Sequence, residues 1–244
     1  FIRVLQSFEA TFALVAVELH AAVRALTDGE FAFAVQRVQS AETRLREAAP
    51  LFSLVATMQV EAFQAFREFT DGASAIQSRN YKLVESLCRQ PDPSRLDSAA
   101  YLSVPEVRER VLAGQVTLDE AFQAASATVH LGAGDVDDLE QVMRQFSATL
   151  LRWRRTHHGI AVRMLGERTG TGYTEGAPYL KEVQTIPVFL SLVQEEDVED
   201  ADARSVTGGD EAAPVQTLGF SGPQGRCPFA AGTIPRVMTV AAGA

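Results

Sequence analysis

Apolar residues recur along this chain every three to four positions, in runs long enough to define helices. From Phe1 to about Leu26 the positions Leu5, Phe8, Phe12, Val15, Leu19 and Val23 keep that period and Thr27-Asp28-Gly29 ends it, which predicts one long amphipathic helix. A second is predicted from about Glu30 to Ala48, with Phe33, Val35, Val38 and Leu45 turned inward and Arg37, Glu42, Arg44 and Glu47 largely outward, before Pro50 breaks the run. The third, from about Leu51 to Phe69, carries Phe52, Phe63, Phe66 and Phe69 and stops at Thr70-Asp71-Gly72-Ala73-Ser74. Ser74 or another small polar residue then caps a helix from about Ala75 to Cys88.

Gln90-Pro91-Asp92-Pro93-Ser94 reads as a loop. Shorter helices follow from Val104 to Ala113 and from Leu118 to Ala127, opened by Ser103-Val104-Pro105-Glu106 and Thr117-Leu118-Asp119-Glu120. Leu131-Gly132-Ala133-Gly134 is a turn, a helix from about Val136 runs to Gly166, and another spans about Tyr179 to Gln194. Residues 195–214 are acidic, small and turn-rich, an exposed loop by composition, and residues 218–244 form an irregular tail rich in glycine and proline. Strand patterns are nearly absent. The fold class is therefore all-α, a bundle of long antiparallel helices in a single domain over residues 1–244.

Composition narrows the function. With 244 residues, 46% of them hydrophobic, the chain can bury a sizeable core, and no run reads as the roughly 20 apolar residues of a membrane span. A net charge of −9 and the lack of a basic stripe argue against nucleic-acid binding. Cys88 and Cys227 lie far apart with no metal-ligand spacing, so neither a zinc site nor a disulfide framework is signalled, and a cytoplasmic location is the default. The sequence opens at Phe1 inside a helical pattern, so further residues upstream are expected.

Candidate chemistry concentrates in Leu151 to Leu180, LRWRRTHHGIAVRMLGERTGTGYTEGAPYL. Trp153, His157, Ile160, Ala161 and Met164 share one helical face, whereas His158 is rotated about 100° away. An imidazole so placed is either a core residue bonded to a carbonyl or a ligand. The loop Gly170-Thr171-Gly172-Tyr173-Thr174-Glu175-Gly176 follows the helix, the reverse of a dinucleotide fingerprint, so a phosphate site is not indicated. On the third helix Phe63 and Arg67 are four apart, a ring with a guanidinium one turn beyond it on the same face.

Three segments together resemble the histidine-ligated haem superfamily of tryptophan 2,3-dioxygenase. RWRRTHHGIAVRMLGERTGTGYTEGAPYL is similar to the family's WRxxH, RMLG or RxIG, GTGGSSG and YL; TMQVEAFQAFREFTDGASAIQSRNYKLVE to FxxFRxxLxxxSGFQSxQFRxxE; and FIRVLQSFEATFALVAVEL to FIxxHQxxELWFKQxxxEL. The resemblance implies a helical bundle enclosing haem b, with His157 as proximal iron ligand and Trp153 packing or donating beside it. It implies that Arg67 grips a substrate carboxylate, Phe63 lines the aromatic pocket, and Thr171 and Gly172 of the glycine-rich loop close on the amino-acid end. Phe1, Leu5 and Ser74 fall in the distal pocket, where Leu5 stands in place of the family's histidine, making this a divergent member. The implied activity is a haem-dependent oxygenase using O2 and L-tryptophan or a related aromatic amino acid, by default a dioxygenase cleaving the indole C2–C3 bond. The alternatives are single-oxygen transfer to an aromatic amino acid in natural-product biosynthesis, and a non-catalytic haem sensor or carrier. A homo-oligomer, dimer or tetramer, is implied as well, with neither nucleic acid nor membrane as a partner.

Overall fold

In a computed structural model of the chain, which describes residues 1–67, 78–127, 133–166 and 177–193, the described elements are all helical. The first helix, α1, spans Ile2–Thr27 and buries Phe8, Phe12, Val15, Leu19, Val23 and Leu26 along one face. Gly29, at φ 78°, reverses the chain into α2, Phe31–Ala48. That left-handed turn is open to glycine at little cost and strains any side chain. Ala34 and Ala41 are fully buried on α2, small enough to let it lie against α1 on one side and the long helix α10, Ala133–Leu165, on the other. Glu18 on α1 accepts from Arg37 at 3.2 Å and Arg44 at 2.8 Å, and Glu42 accepts from Thr149 of α10 at 2.9 Å, fixing the three helices in register.

The remaining elements pack around this frame. They are α3, Leu51–Ala56; α4, Val60–Arg67; α5, Arg79–Cys88; α6, Pro93–Leu96; α7, Ala99–Leu102; α8, Pro105–Leu112; α9, Leu118–Ser126; and α11, Ala177–Thr185. α5 and α9 lie against α1, and α11 lies against α10. The largest fully buried side chains include Phe146, Leu150 and Met143 of α10, Leu19 of α1 and Leu87 of α5, each worth about 1.5–3 kcal/mol of burial.

Several predicted elements differ from the structure for identifiable reasons. The single third helix is two, because the turn at Thr57–Gln59 separates α3 from α4; Thr57 Oγ1 donates back to the Leu54 carbonyl at 2.8 Å, and Arg163 of α10 donates to the Ala56 carbonyl at 2.8 Å. The last predicted helix ends at Thr185 rather than near Gln194. Pro187 disfavours helical backbone at Ile186 and lacks an N–H, and Arg154 takes up the Val183 and Ile186 carbonyls at 3.3 and 2.7 Å. The cap of α5 is Ser78, whose hydroxyl accepts from Tyr81 N at 3.1 Å. Phe33, expected inside, is exposed and lies beneath the Arg37 guanidinium. α1 is also long and apolar enough by length and composition to cross a membrane, contrary to the sequence reading, although half of that stretch is buried within the fold.

Candidate functional site

The helical period of α10 brings Trp153 and His157 to one face, and the rest of the fold encloses them in rings. Trp153 is 9% exposed, with Phe8 and Phe12 of α1 edge-on at 5.6 and 5.1 Å, Phe52 of α3 at 5.3 Å and Tyr81 of α5 stacked at 5.3 Å and 28°. One turn later the half-buried His157 ring lies 5.1 Å from Trp153 and nearly parallel to Phe52, at 6.3 Å and 21°. Burial, with a smaller contribution from His158, lowers its pKa to about 4. The imidazole is therefore neutral at pH 7 and keeps a lone pair for coordination. Beside it, the Trp153 indole N–H is buried with no acceptor.

α1, which gives Phe8 and Phe12 to this cage, begins about two turns before Phe8. There the Phe1 ring meets Phe63 of α4 edge-on at 5.5 Å and Phe66 at 5.7 Å, and Leu5, one turn on, is 36% exposed. Arg67 closes α4 one turn after Phe63. Of the residues singled out in the sequence, the structure thus pairs His157 with Trp153 and Phe1 with Phe63. Ser74, Thr171 and Gly172 lie outside the described residues.

Polar contacts anchor the cage from behind. Glu9 on α1 accepts from Ser78 Oγ and from Asn80 N at 3.0 Å, tying the start of α5 to α1. Arg154, adjacent to Trp153, donates Nε to Tyr81 Oη at 2.9 Å and Nη2 to Glu85 Oε1 at 3.0 Å. Lys82 Nζ donates to Glu85 Oε2 at 2.6 Å. Burial alone would raise the Glu85 pKa, yet Lys82, Arg154 and Arg95 together hold it down to about 2. This buried network fixes α10 to α5 and to the end of α11, and so sets the position of Trp153.

The sequence pattern puts Phe8 and Phe12 on the apolar stripe of α1 and Phe52 among the aromatic residues of the third helix, with nothing to connect them to His157. The signal was faint, since a phenylalanine pair four apart on α1 reads as ordinary packing until α10 is placed opposite it.

The donor set fits a haem. A single neutral imidazole on an aromatic wall is the protein's share of a porphyrin-bound iron, which brings its own four nitrogens. A bare metal ion needs more, and among the described residues no group of three or more His, Cys, Asp or Glu could hold one.

Comparison with known proteins adds to this geometry. No family model matches the chain. It is similar to the tryptophan 2,3-dioxygenase of Anaeromyxobacter sp. (strain K), with 27% identity over 221 residues, covering 79% of this chain and 83% of the relative. The tryptophan 2,3-dioxygenase of Anaeromyxobacter dehalogenans (strain 2CP-C) is 26% identical over the same coverage, and that of Nocardioides sp. (strain ATCC BAA-499 / JS614) is 27% identical over 80% of this chain and 84% of its own.

Proposed function

We propose that this chain, similar over about four fifths of its length to tryptophan 2,3-dioxygenases, is a haem-dependent oxygenase of L-tryptophan or a closely related aromatic amino acid. The observation that carries this reading is the neutral His157 imidazole packed against Phe52 and Trp153. His157 would hold haem b from the proximal side, with Trp153 packed against the ligand. Haem, when bound, supplies an iron that activates O2 for transfer to an aromatic ring.

The protein's own part is to bind and orient. Arg67 would grip the substrate carboxylate through two parallel charge-assisted bonds, and Thr171 and Gly172 would close over the amino-acid end. Phe1 and Phe63 would hold the ring between apolar faces and exclude water, with Ser74 and Leu5 completing the distal wall. Leu5 carries no proton. The substrate ammonium is then the nearest donor; a second reading, single-oxygen transfer, would further require an external two-electron reductant to take the other oxygen atom to water. The family resemblance leads us to expect that the chain works as a homo-oligomer.

An anaerobic optical titration of the reduced, haem-reconstituted protein with L-tryptophan and analogues tests the proposal. The expected result is a Soret band altered by His157→Ala that shifts with an aromatic amino acid. Arg67→Ala should weaken that shift roughly 10–100-fold in half-saturation, the loss of a charged hydrogen bond. Haem binding with no response to any aromatic amino acid would favour a sensor or carrier, and a colourless protein would overturn the reading. Product mass then separates two added oxygen atoms, cleavage of the C2–C3 bond, from one.

A further inference from the structure

The buried network behind Trp153 holds more positive charge than Glu85 can balance. Lys82, Arg154 and Arg95 all converge on that one carboxylate, at 2.6, 3.0 and 3.6 Å. Arg89 adds a fourth cation beside them, paired at 3.2 Å with an Asp92 carboxylate that is itself more than half exposed. Between these groups and the backbone of residues 186–188 lies a cavity of about 10 Å³, lined by Arg89, Arg95, Arg154, Tyr101, Cys88 and Glu85.

Two donors there have no acceptor. Tyr101 is 0% exposed and its hydroxyl is unpaired, and Arg95 Nη2 is likewise buried without a hydrogen bond. Burial raises the pKa of both Tyr101 and Cys88, so each remains protonated and can only donate to a negative guest. The one carboxylate on the wall, Glu85, is already engaged by Lys82 and Arg154.

We propose that this cavity is a binding site for a single monoatomic anion, chloride in solution, held by the Tyr101 hydroxyl and the Arg95 and Arg89 guanidinium groups. A cavity this small favours a monoatomic anion over a larger one. A water molecule fits by size and finds acceptors in Tyr101 Oη and the carbonyls of the wall, but it would leave the excess cations unbalanced. An anion supplies both the missing acceptor and the missing charge. Seated there, it would bridge α6, α7 and the residue that follows α5 through Arg95, Tyr101 and Arg89, and would steady Arg154 of α10 directly behind the Trp153–His157 pair.

The test is the thermal midpoint of the full-length protein, titrated with sodium chloride or sodium bromide against sodium gluconate at constant ionic strength. A saturable, halide-specific rise is expected for the parent. Tyr101→Phe should weaken the half-saturating halide concentration by about tenfold or more, and Arg95→Met should abolish the response. Arg110→Gln, a change at an exposed arginine on α8, should leave it intact. Because each variant is compared with itself across anions, a general loss of stability does not confuse the outcome. Crystals grown in sodium bromide should show an anomalous peak in the cavity at the bromine edge. A parent with no halide-specific rise, an equal rise in the Arg95→Met and Tyr101→Phe variants, or a cavity without that peak would each overturn the proposal.

Discussion

Replacing Glu85 with glutamine leaves Lys82, Arg154 and Arg95 facing one another in the core without a counter-charge. Removing one partner of a buried ion cluster costs about 3–5 kcal/mol, because the remaining charges stay desolvated. Urea unfolding of Glu85→Gln should show a loss of that size, and Lys82→Met in the same background should recover part of it by removing an orphaned cation. None of this was legible in the sequence. Lys82 and Glu85, three apart on a helix, read as a solvated pair; only Arg154, arriving from α10, turns them inward. Trp153 and His157 were legible because their spacing needs no partner helix. Phe52, stacked on His157, was not, because its meaning depends on where α3 lies.

At the scale of elements, local signals were reliable where the element is self-contained. The Thr117 to Glu120 run predicts a helix start, and α9 opens with a reciprocal box: Glu120 N donates to Thr117 Oγ1 at 3.2 Å, and Thr117 N donates to Glu120 Oε2 at 2.8 Å. Thr117→Ala should therefore cost about 1 kcal/mol in equilibrium unfolding. The effect should extend beyond α9. Asp119 in the same turn accepts from Leu190 N at 3.0 Å and Ser191 N at 3.1 Å, so amide exchange at those two positions should quicken in the variant. The break between α3 and α4 follows the opposite logic. The Arg163 side chain that takes the Ala56 carbonyl lies on another helix, so a period of aromatic residues carried the reading straight through the turn. Pro187 was a local stop signal, and the apolar residues around it masked its effect.

For the molecule as a whole, the buried network makes stability depend on acid in a defined window. Glu85 titrates near its ordinary 4.5 when unfolded and at about 2 when folded. The unfolded chain therefore binds the proton first as pH falls, so the contribution of Glu85 is complete above pH 4.5 and is lost progressively toward pH 2. Below the pI of 5.0 the chain becomes increasingly positive, so self-repulsion adds to the acid loss in this window, and comparison with Glu85→Gln separates the two contributions. Trp153, the only tryptophan, reports it together with the titration of His157 5.1 Å away near pH 4, since it stacks on Tyr81 and its neighbour Arg154 is held by Glu85. Its emission should shift between pH 4.5 and 2 together with the fall in urea midpoint. In Glu85→Gln the midpoint should start lower and change less across that interval, because the group that titrates there is gone. An unchanged acid profile in the variant would assign the transition to other carboxylates and remove Glu85 from the account of what holds α10 in place.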